Sequence, residues 1–492
     1  MLRKIFSYGT LAIVAALIQI ILIIYAVTAG VKIPAVGFFY HLLTLLCIIH
    51  IINSTIPNSY KLCWILPMLI FPDYGGVAFL LFNKQHSINA IHNKMYPYLT
   101  SAISAVSGIE SENGIQKYLS DCAGFPLTNS CESRYFPFGE QLFNEILKKI
   151  SEAKNYIFIE FFIISDGKAW EMMEKLLAEK AKQGVKIRII TDGAGCLFIK
   201  PKKFKKKLAD MGIEHREFNP VKLRISGRVN YRNHRKMVIC DGKYAFCCGI
   251  NISDEYMNYR ERFGVWKDSG VMVSGKAVES FTAMFGGMWN YLSEENEMFI
   301  ISPTQEHCTE NSFVQPFSDT PLDSEAVGLR VYLSLISSAK SSVYLTTPYL
   351  ICDEEMLNTL KFAARRNVKV KIITPGIPDK KYVYTLTRSH YKELIESGVE
   401  IYEYTPGFIH AKTLVIDQET AVAGTINFDY RSMFLLFECA CVFYGGNIPL
   451  EISDDFHKTL KKCCPIKYEA VVKTNMLVRI ARGFLRLFSP LM

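Results

Sequence analysis

Two stretches of this chain carry the same polar phrase. Residues 234–251 read HRKMVICDGKYAFCCGIN and residues 410–427 read HAKTLVIDQETAVAGTIN. In each, a histidine is followed by a lysine two residues on, an aspartate seven on and an asparagine seventeen on. The first set is His234, Lys236, Asp241 and Asn251; the second is His410, Lys412, Asp417 and Asn427. A neutral imidazole can attack phosphorus, and an imidazolium can protonate a leaving alkoxide. Lysine supplies positive charge for phosphate oxygens, and an asparagine amide can donate hydrogen bonds to the same oxygens. Double displacement at phosphorus uses two imidazoles, one as nucleophile and one as acid and then base. The repeat supplies that pair if the two halves face each other across a pseudo-two-fold axis.

The apolar alternation around each phrase predicts strands, in which side chains two apart share a face. Each His would then point the same way as its Lys. An offset of seven is odd, so Asp241 and Asp417 leave that face and sit where the strand should turn. They are expected to hold the turn and neighbouring basic groups without touching phosphorus. Asp268 and Glu438 each lie seven residues before a glycine, at the end of the apolar strand that follows the asparagine. A carboxylate there could accept from the histidine's other ring nitrogen and raise its basicity; an ion pair with a nearby Lys or Arg is the competing reading. Glu160, inside an apolar strand, needs a partner, either a substrate hydroxyl group or a structural one. Ser253, Asp254 and Glu255 after the first phrase, and Asp429, Arg431 and Ser432 after the second, are candidates for the rim of a cleft.

The elements that must position these groups also repeat. YIFIEFFII (156–164), a helical pattern and KIRIITDG (186–193) are matched by VYLTTPYLI (343–351), a helical pattern and KVKIITPG (369–376). MGIEHREFNP (211–220) aligns with SGVEIYEYTP (397–406) in its Gly, Glu and Pro. Two homologous α/β lobes follow. The first carries an extra piece, 221–232, which either shapes an acceptor site or is a surface loop. Residues 134–300 are expected to form the first lobe, 301–324 a connection and 325–470 the second lobe.

The chain has 492 residues, is half hydrophobic and carries a net charge of +9, which favours anionic partners, phospholipid headgroups or nucleic acid. Its 14 cysteines show no paired zinc-type spacing and no disulfide framework, and read as reduced thiols in a cytosol-facing domain. Residues 1–83 read as a membrane anchor. Residues 10–29 and 34–52 are long apolar runs, and the run 62–82 is broken by Pro67, Pro72, Asp73 and Gly75-Gly76. That third run is either a re-entrant hairpin or a kinked span. Arg3 and Lys4 before the first run, and Lys84 and Lys94 after the third, place both ends on the inside. These helices would make the protein multi-pass in the cell membrane, with cytoplasmic lobes. Residues 84–133 read as linker and entry segment. The basic run 200–212 could lie on anionic lipid or be a solvated helix. The tail 471–492 sets Lys473, Arg479, Arg482 and Arg486 among Leu, Ile and Phe; it could lie on a membrane surface or pack its apolar face on the domain.

The paired phrases resemble the signature of the phospholipase D superfamily, whose motif is HxKxxxxD. RVNYRNHRKMVICDGKYAF with GINISDEY, FIHAKTLVID with GTINFDYRSMFLLFE, and the terminal ARGFLRLFSPLM are similar to bacterial cardiolipin synthases over essentially the whole chain. The resemblance implies two phospholipase D-like lobes behind transmembrane helices. It also implies transfer of a phosphatidyl group between two phosphatidylglycerol molecules, giving cardiolipin and glycerol. The implied intermediate is a phosphatidyl-histidine, with His234 as nucleophile, His410 as acid/base, and no metal or other cofactor. Nucleic acid is not expected as a partner. A hydrolase of the same chemistry, another phosphatidyltransferase and an inactive lipid-binding scaffold are the competing readings. Two positions depart from the family pattern: Cys248 stands before Gly249-Ile250-Asn251, and Gly270 stands where a His often follows the Asp.

Overall fold

The computed structural model describes residues 34–489 apart from 55, 57, 83–84, 112–113, 130–131, 197–200, 222–229, 300–312, 324 and 474. The apolar run 10–29, Arg3, Lys4 and Lys84 lie outside the described residues, as does most of 221–232 and of 301–324.

Seven strands build a first sheet: β1 (Ser133–Phe136), β2 (Tyr156–Phe161), β3 (Lys186–Asp192), β4 (Glu214–Phe218), β5 (Met237–Cys240), β6 (Tyr244–Cys248) and β7 (Gly270–Ser274). They lie in the order β1-β7-β6-β5-β2-β3-β4. A second set comprises β8 (Phe313–Asp319), β9 (Ser342–Thr346), β10 (Lys369–Pro375), β11 (Glu400–Tyr404), β12 (Thr413–Ile416), β13 (Thr420–Gly424) and β14 (Leu436–Tyr444). Their order is β8-β14-β13-β12-β9-β10-β11, the same path strand for strand. In both sheets the three strands at the β4 or β11 end are parallel and the rest antiparallel. The strands read as near-continuous apolar runs because both faces are covered, so alternation is weak in β3, β5 and β12. Three short strands complete the second sheet: Thr128–Asn129 on β8, Cys463–Pro465 on β11 and Arg232–Asn233 on β14.

The anchor region contains α1 (Pro34–Asn53), α2 (Asn58–Ile70) and α3 (Pro72–Phe82), and is followed by α4 (Gln85–Ser104). Among the described residues one helix, α1, is long and apolar enough to cross a bilayer, with mean hydropathy 2.1 over Ala35–Asn53. The third apolar run is two helices of 13 and 11 residues broken at Phe71-Pro72, each shorter than the roughly 20 residues a span requires. The break rests against the middle of α1. Thr44 Oγ1 donates to the Pro72 carbonyl at 2.6 Å and accepts from Gly76 N–H at 2.9 Å. A Cβ at Gly76 would lie 2.9 Å from Thr44 Cα, so the approach admits only glycine.

The segment 84–133 is more than a linker. Its helix α4 packs along α5 (Ala277–Ser293) of the first half, and Thr128–Asn129 joins the second half's sheet. Helix α5 buries Phe281, Phe285, Met288 and Trp289 in a core that also holds Met237, Ile239 and Cys247 from one half and Val415, Cys439 and Phe443 from the other. Each large apolar side chain buried there contributes about 1.5–3 kcal/mol. That shared core binds the two sheets into one body and sets the faces that carry the paired phrases.

Candidate active site

The histidines sit just ahead of their strands. His234 and Lys236 occupy the extended stretch before β5, and His410 and Lys412 the stretch before β12. Each stretch is held by the opposite half. Arg232–Asn233 pairs with Leu436–Phe437 of β14, and His234 N–H donates to Phe437 O at 2.9 Å. His410 N–H donates to Lys267 O at 2.7 Å, beside a bridge between Lys267 and Ile409.

Asp241 and Asp417 hold the hairpins that follow. Both adopt left-handed backbone, φ 54°, which Asp tolerates better than most residues. Asp241 accepts backbone N–H groups of Lys154, Asn155 and Tyr156 at 2.7–2.8 Å. Asp417 does the same for Lys340, Ser341 and Ser342 and also receives the Ser341 hydroxyl. Their partners are backbone amides rather than the basic side chains expected, and each ties its hairpin to the loop entering β2 or β9.

The carboxylates cross between halves. His234 Nδ1 lies 2.8 and 3.0 Å from the two oxygens of Glu438, and His410 Nδ1 lies 2.5 Å from Asp268 Oδ2. Each half therefore supplies the carboxylate for the other half's histidine, leaving Nε2 of each ring for chemistry. Lys236 Nζ donates to the His234 carbonyl at 2.7 Å. Lys412 Nζ donates to the His410 carbonyl, lies 2.6 Å from His410 Nδ1 and 4.0 Å from Asp268.

These groups are buried together, and their charges act on one another. Burial lowers His234 well below its ordinary value, helped by the charges of Lys236 and Lys412. Burial brings His410 down to about 4, with Lys412 adding to the drop and Asp268 opposing it. Burial also depresses the lysines, Lys236 to about 8 and Lys412 to about 7. The carboxylates diverge. Burial pushes Glu438 up to about 8 against the pull of Lys236. Asp268 is equally buried, yet Lys412 and His410 outweigh burial and hold it below its ordinary value. The field is shared: Lys412 acts on His234, and Lys236 acts on His410.

The space around the two carboxylates differs as well, and the Thr425 contact works against the rise of Glu438. Glu438 receives the Thr425 hydroxyl. The matching position in the first phrase is Gly249, where a Cβ would lie 2.0 Å from Asp268 Oδ1. Thr with the longer Glu, and Gly with the shorter Asp, are two solutions to the same space. Neither Thr425 nor Gly249 stands out in sequence except by its offset of two from the asparagine.

The asparagines also differ. Asn251 accepts from Ile163 N–H at 3.0 Å and donates to Tyr256 Oη at 2.8 Å, so its amide is engaged by protein. Asn427 Oδ1 is buried without a hydrogen-bond partner among the described residues. Rings enclose the imidazoles: Phe162 lies edge-on to His234 at 5.3 Å, and Tyr256 and Trp266 lie 5.4 Å from His410.

Of the other sequence candidates, Asp429 and Arg431 border this group, Asp429 acting on Lys412 and Arg431 on His234, while the contacts of the rest are structural. Glu160 is bound by Asn233 and Arg235 at 2.6 and 2.8 Å, a structural contact. Asp254 accepts from Lys168 and Ala169 N–H at a helix start, and Asp429 caps its own helix at Ser432. In the basic run, Phe204 and Leu208 are buried and Lys207 pairs with Glu174. A pair not singled out in sequence lies behind His410. Lys267, whose carbonyl holds His410, has a buried ammonium bound by Asp455 at 2.8 and 3.0 Å and by the Pro137 carbonyl. Asp455 comes from α6 (Asn447–Leu460) of the second half and also accepts from Tyr135. A cleft of about 360 Å³ opens beside this pair, lined by Lys267, Asp455, Lys458 and Lys462, and reaches neither histidine. No group of three or more His, Cys, Asp or Glu placed to hold a metal occurs among the described residues.

Comparison with known proteins gives this arrangement a family. The family described as cardiolipin synthase, PLD-like domain, matches residues 146–289 and 332–461, spanning both phrases. A cardiolipin synthase of Geobacillus sp. (strain WCH70) is 31% identical over 448 residues, 88% of this chain and 89% of that protein. An uncharacterized protein of Streptococcus mutans serotype c is 37% identical, covering 90% of this chain and 99% of that one. The crystal structure of a phosphatidylserine synthase from Haemophilus influenzae superposes with a TM-score of 0.58 at 13% identity, covering 77% of this chain and 98% of that one; this likeness concerns the fold alone. With two mixed α/β sheets of one strand order and a family match across both histidine phrases, the chain belongs to the cardiolipin synthase family of phospholipase D-like proteins.

Proposed function

We propose that this chain is a phosphatidyltransferase that joins two phosphatidylglycerol molecules into cardiolipin and releases glycerol. The observation that carries the mechanism is the reciprocal pairing of each histidine with the other half's carboxylate. In the first displacement His234 Nε2 attacks the phosphorus of one phosphatidylglycerol. The bond to the headgroup glycerol breaks, and His410 gives its proton to the leaving alkoxide. In the second, His410 removes the proton from a headgroup hydroxyl of another phosphatidylglycerol. That oxygen attacks phosphorus, the phosphorus–nitrogen bond breaks, and cardiolipin leaves. One phosphodiester is exchanged for another, so the reaction requires no nucleotide.

The carboxylate asymmetry favours this division of labour. Asp268, held in its charged form, stabilises an imidazolium and suits the ring that cycles its proton. Glu438, pushed up to about 8, leaves His234 close to a neutral hydrogen-bonded imidazole, the form that attacks. Lys236 and Lys412 neutralise phosphate oxygens. Of the asparagines, Asn427 has the amide with an unused buried oxygen, and it would turn to the substrate headgroup; Asn251 would steady Tyr256 beside His410. Helix α1 and the broken pair α2–α3 support an anchor that keeps the lobes at the cytoplasmic face of the cell membrane, with α2–α3 re-entrant.

Lipid mass analysis after incubation with phosphatidylglycerol alone tests the reading. Cardiolipin and glycerol should appear in equal amounts with the intact protein and vanish in His234→Ala. Phosphatidic acid as the main product would make the protein a hydrolase, and unchanged cardiolipin in the variant would remove His234 from the mechanism.

A further inference from the structure

The C-terminal helix α7 (Met476–Leu487) presents the opposite faces from those of a helix on a soluble protein. Met476, Leu477, Ile480 and Phe484 follow helical spacing and are exposed, Leu477 and Met476 by about three quarters of their surface. Its cationic side turns toward the lobe: Arg486 lies 3.6 Å from Glu393 and 3.0 Å from His390 Nδ1, and Arg482 is half-buried. Leu485 packs against Ile351, Val383 and Leu386. No Asp or Glu occurs after Glu469. Leu485 thus packs on the domain, while Met476, Leu477, Ile480 and Phe484 stay turned away from it.

The helix also touches the anchor. Cys63 of α2 donates to the Leu487 carbonyl at 2.6 Å, and α2 carries its own exposed apolar face of Leu62, Leu66, Leu69 and Ile70. One turn from Cys63, Tyr60 of α2 acts electrostatically on Tyr231, three residues before His234, and on Tyr430, three after Asn427. An apolar surface thus runs from α1 through α2 to α7, with Tyr60 beside residues that flank both phrases.

We infer that α7 is a second membrane contact, lying in the headgroup layer of an anionic phospholipid bilayer with its apolar face in the acyl boundary. Three observations choose lipid as the occupant: continuity with a helix long enough to cross a bilayer, the exposed cation of Arg479 on the same helix, and the approach of α2 to residues that flank both phrases. Through Arg486 and Leu485 the contact holds the second lobe against the bilayer, so phosphatidylglycerol reaches the histidines laterally. The inference deepens the proposed reaction by naming the surface from which its substrate comes.

The test uses the full chain in phosphatidylglycerol vesicles whose acyl chains carry bromine, with Phe484→Trp and, separately, Leu477→Trp. Both positions are exposed, and the ring contact of Phe484 with Phe488 at 5.1 Å is one an indole can also make. The signal is the difference from the parent chain, which removes the background of its four tryptophans. The expected result is blue-shifted emission quenched by the brominated lipid. A blue shift without quenching would show protein, such as a second copy, on this face, and unshifted emission would show water; either overturns the inference. Cardiolipin formation measured in the same vesicles keeps failure of the surface contact distinct from failure of the proposed reaction.

Discussion

Asp268→Asn removes one negative charge from a buried group that contains His410, Lys412 and Lys236. The side-chain volume is unchanged, but the acceptor 2.5 Å from His410 Nδ1 becomes a neutral amide, and the carboxylate 4.0 Å from Lys412 Nζ is lost. A hydrogen bond to a charged group contributes about 1.5–3 kcal/mol, which corresponds to roughly 10- to 100-fold in rate for the step that needs the imidazolium. Asp268 also raises the pKa of Lys412, already near 7, so its removal leaves that lysine less charged beside phosphate. The combined loss should approach the ~10⁴-fold seen when the carboxylate behind a catalytic histidine becomes an amide. The sign in pH follows as well. Asp268 opposes the depression of His410, so the variant's imidazole should lose its proton at lower pH, and the activity requiring the acid form should move in that direction. Initial rates of cardiolipin formation from neutrality down through the acid range around the His410 value of about 4, with thermal unfolding measured alongside, provide the assay. A folded variant within about twofold of the parent, with its pH limb unmoved, would refute the role of the carboxylate in charge stabilisation.

Three further outcomes follow from the same contacts. Gly249→Ala places a Cβ 2.0 Å from Asp268 Oδ1, so the carboxylate must leave His410 and transfer should fall about as far as in Asp268→Asn; Cys248→Ala in the same assay should stay near the parent rate. Asp455→Asn leaves the buried Lys267 ammonium without its carboxylate, which should lower unfolding stability by about 3–5 kcal/mol in denaturant titrations. Asp417→Asn cannot serve all the backbone amides now bound and should cost roughly 2–4 kcal/mol. Although burial works against its charge, those amides hold Asp417 below its ordinary value. Its contribution is therefore present above the ordinary carboxylate pKa and lost as pH falls, so the variant's stability should decline less steeply in acid than the parent's.

The chemistry was legible in the linear chain because its signal is local. The offsets of His, Lys, Asp and Asn in 234–251 and 410–427 survive in sequence as spacing, and the repeated strand–helix–strand segments announce two α/β halves because apolar runs report burial on both faces. Asp241 and Asp417 at a turn follow from an odd offset and an Asp-compatible backbone. The broken third apolar run is visible as Pro72 and Gly76. What spacing along one chain cannot encode is which half completes which. The pairing of Asp268 with His410 and of Glu438 with His234 spans 142 and 204 residues and arises from the cross-lobe strands and the shared core. For the same reason Lys267–Asp455, Glu160–Arg235 and the exposed face of α7 could be decided only in three dimensions. A buried charge takes its partner from whatever the tertiary fold brings within hydrogen-bond reach, and that proximity has no period in the sequence.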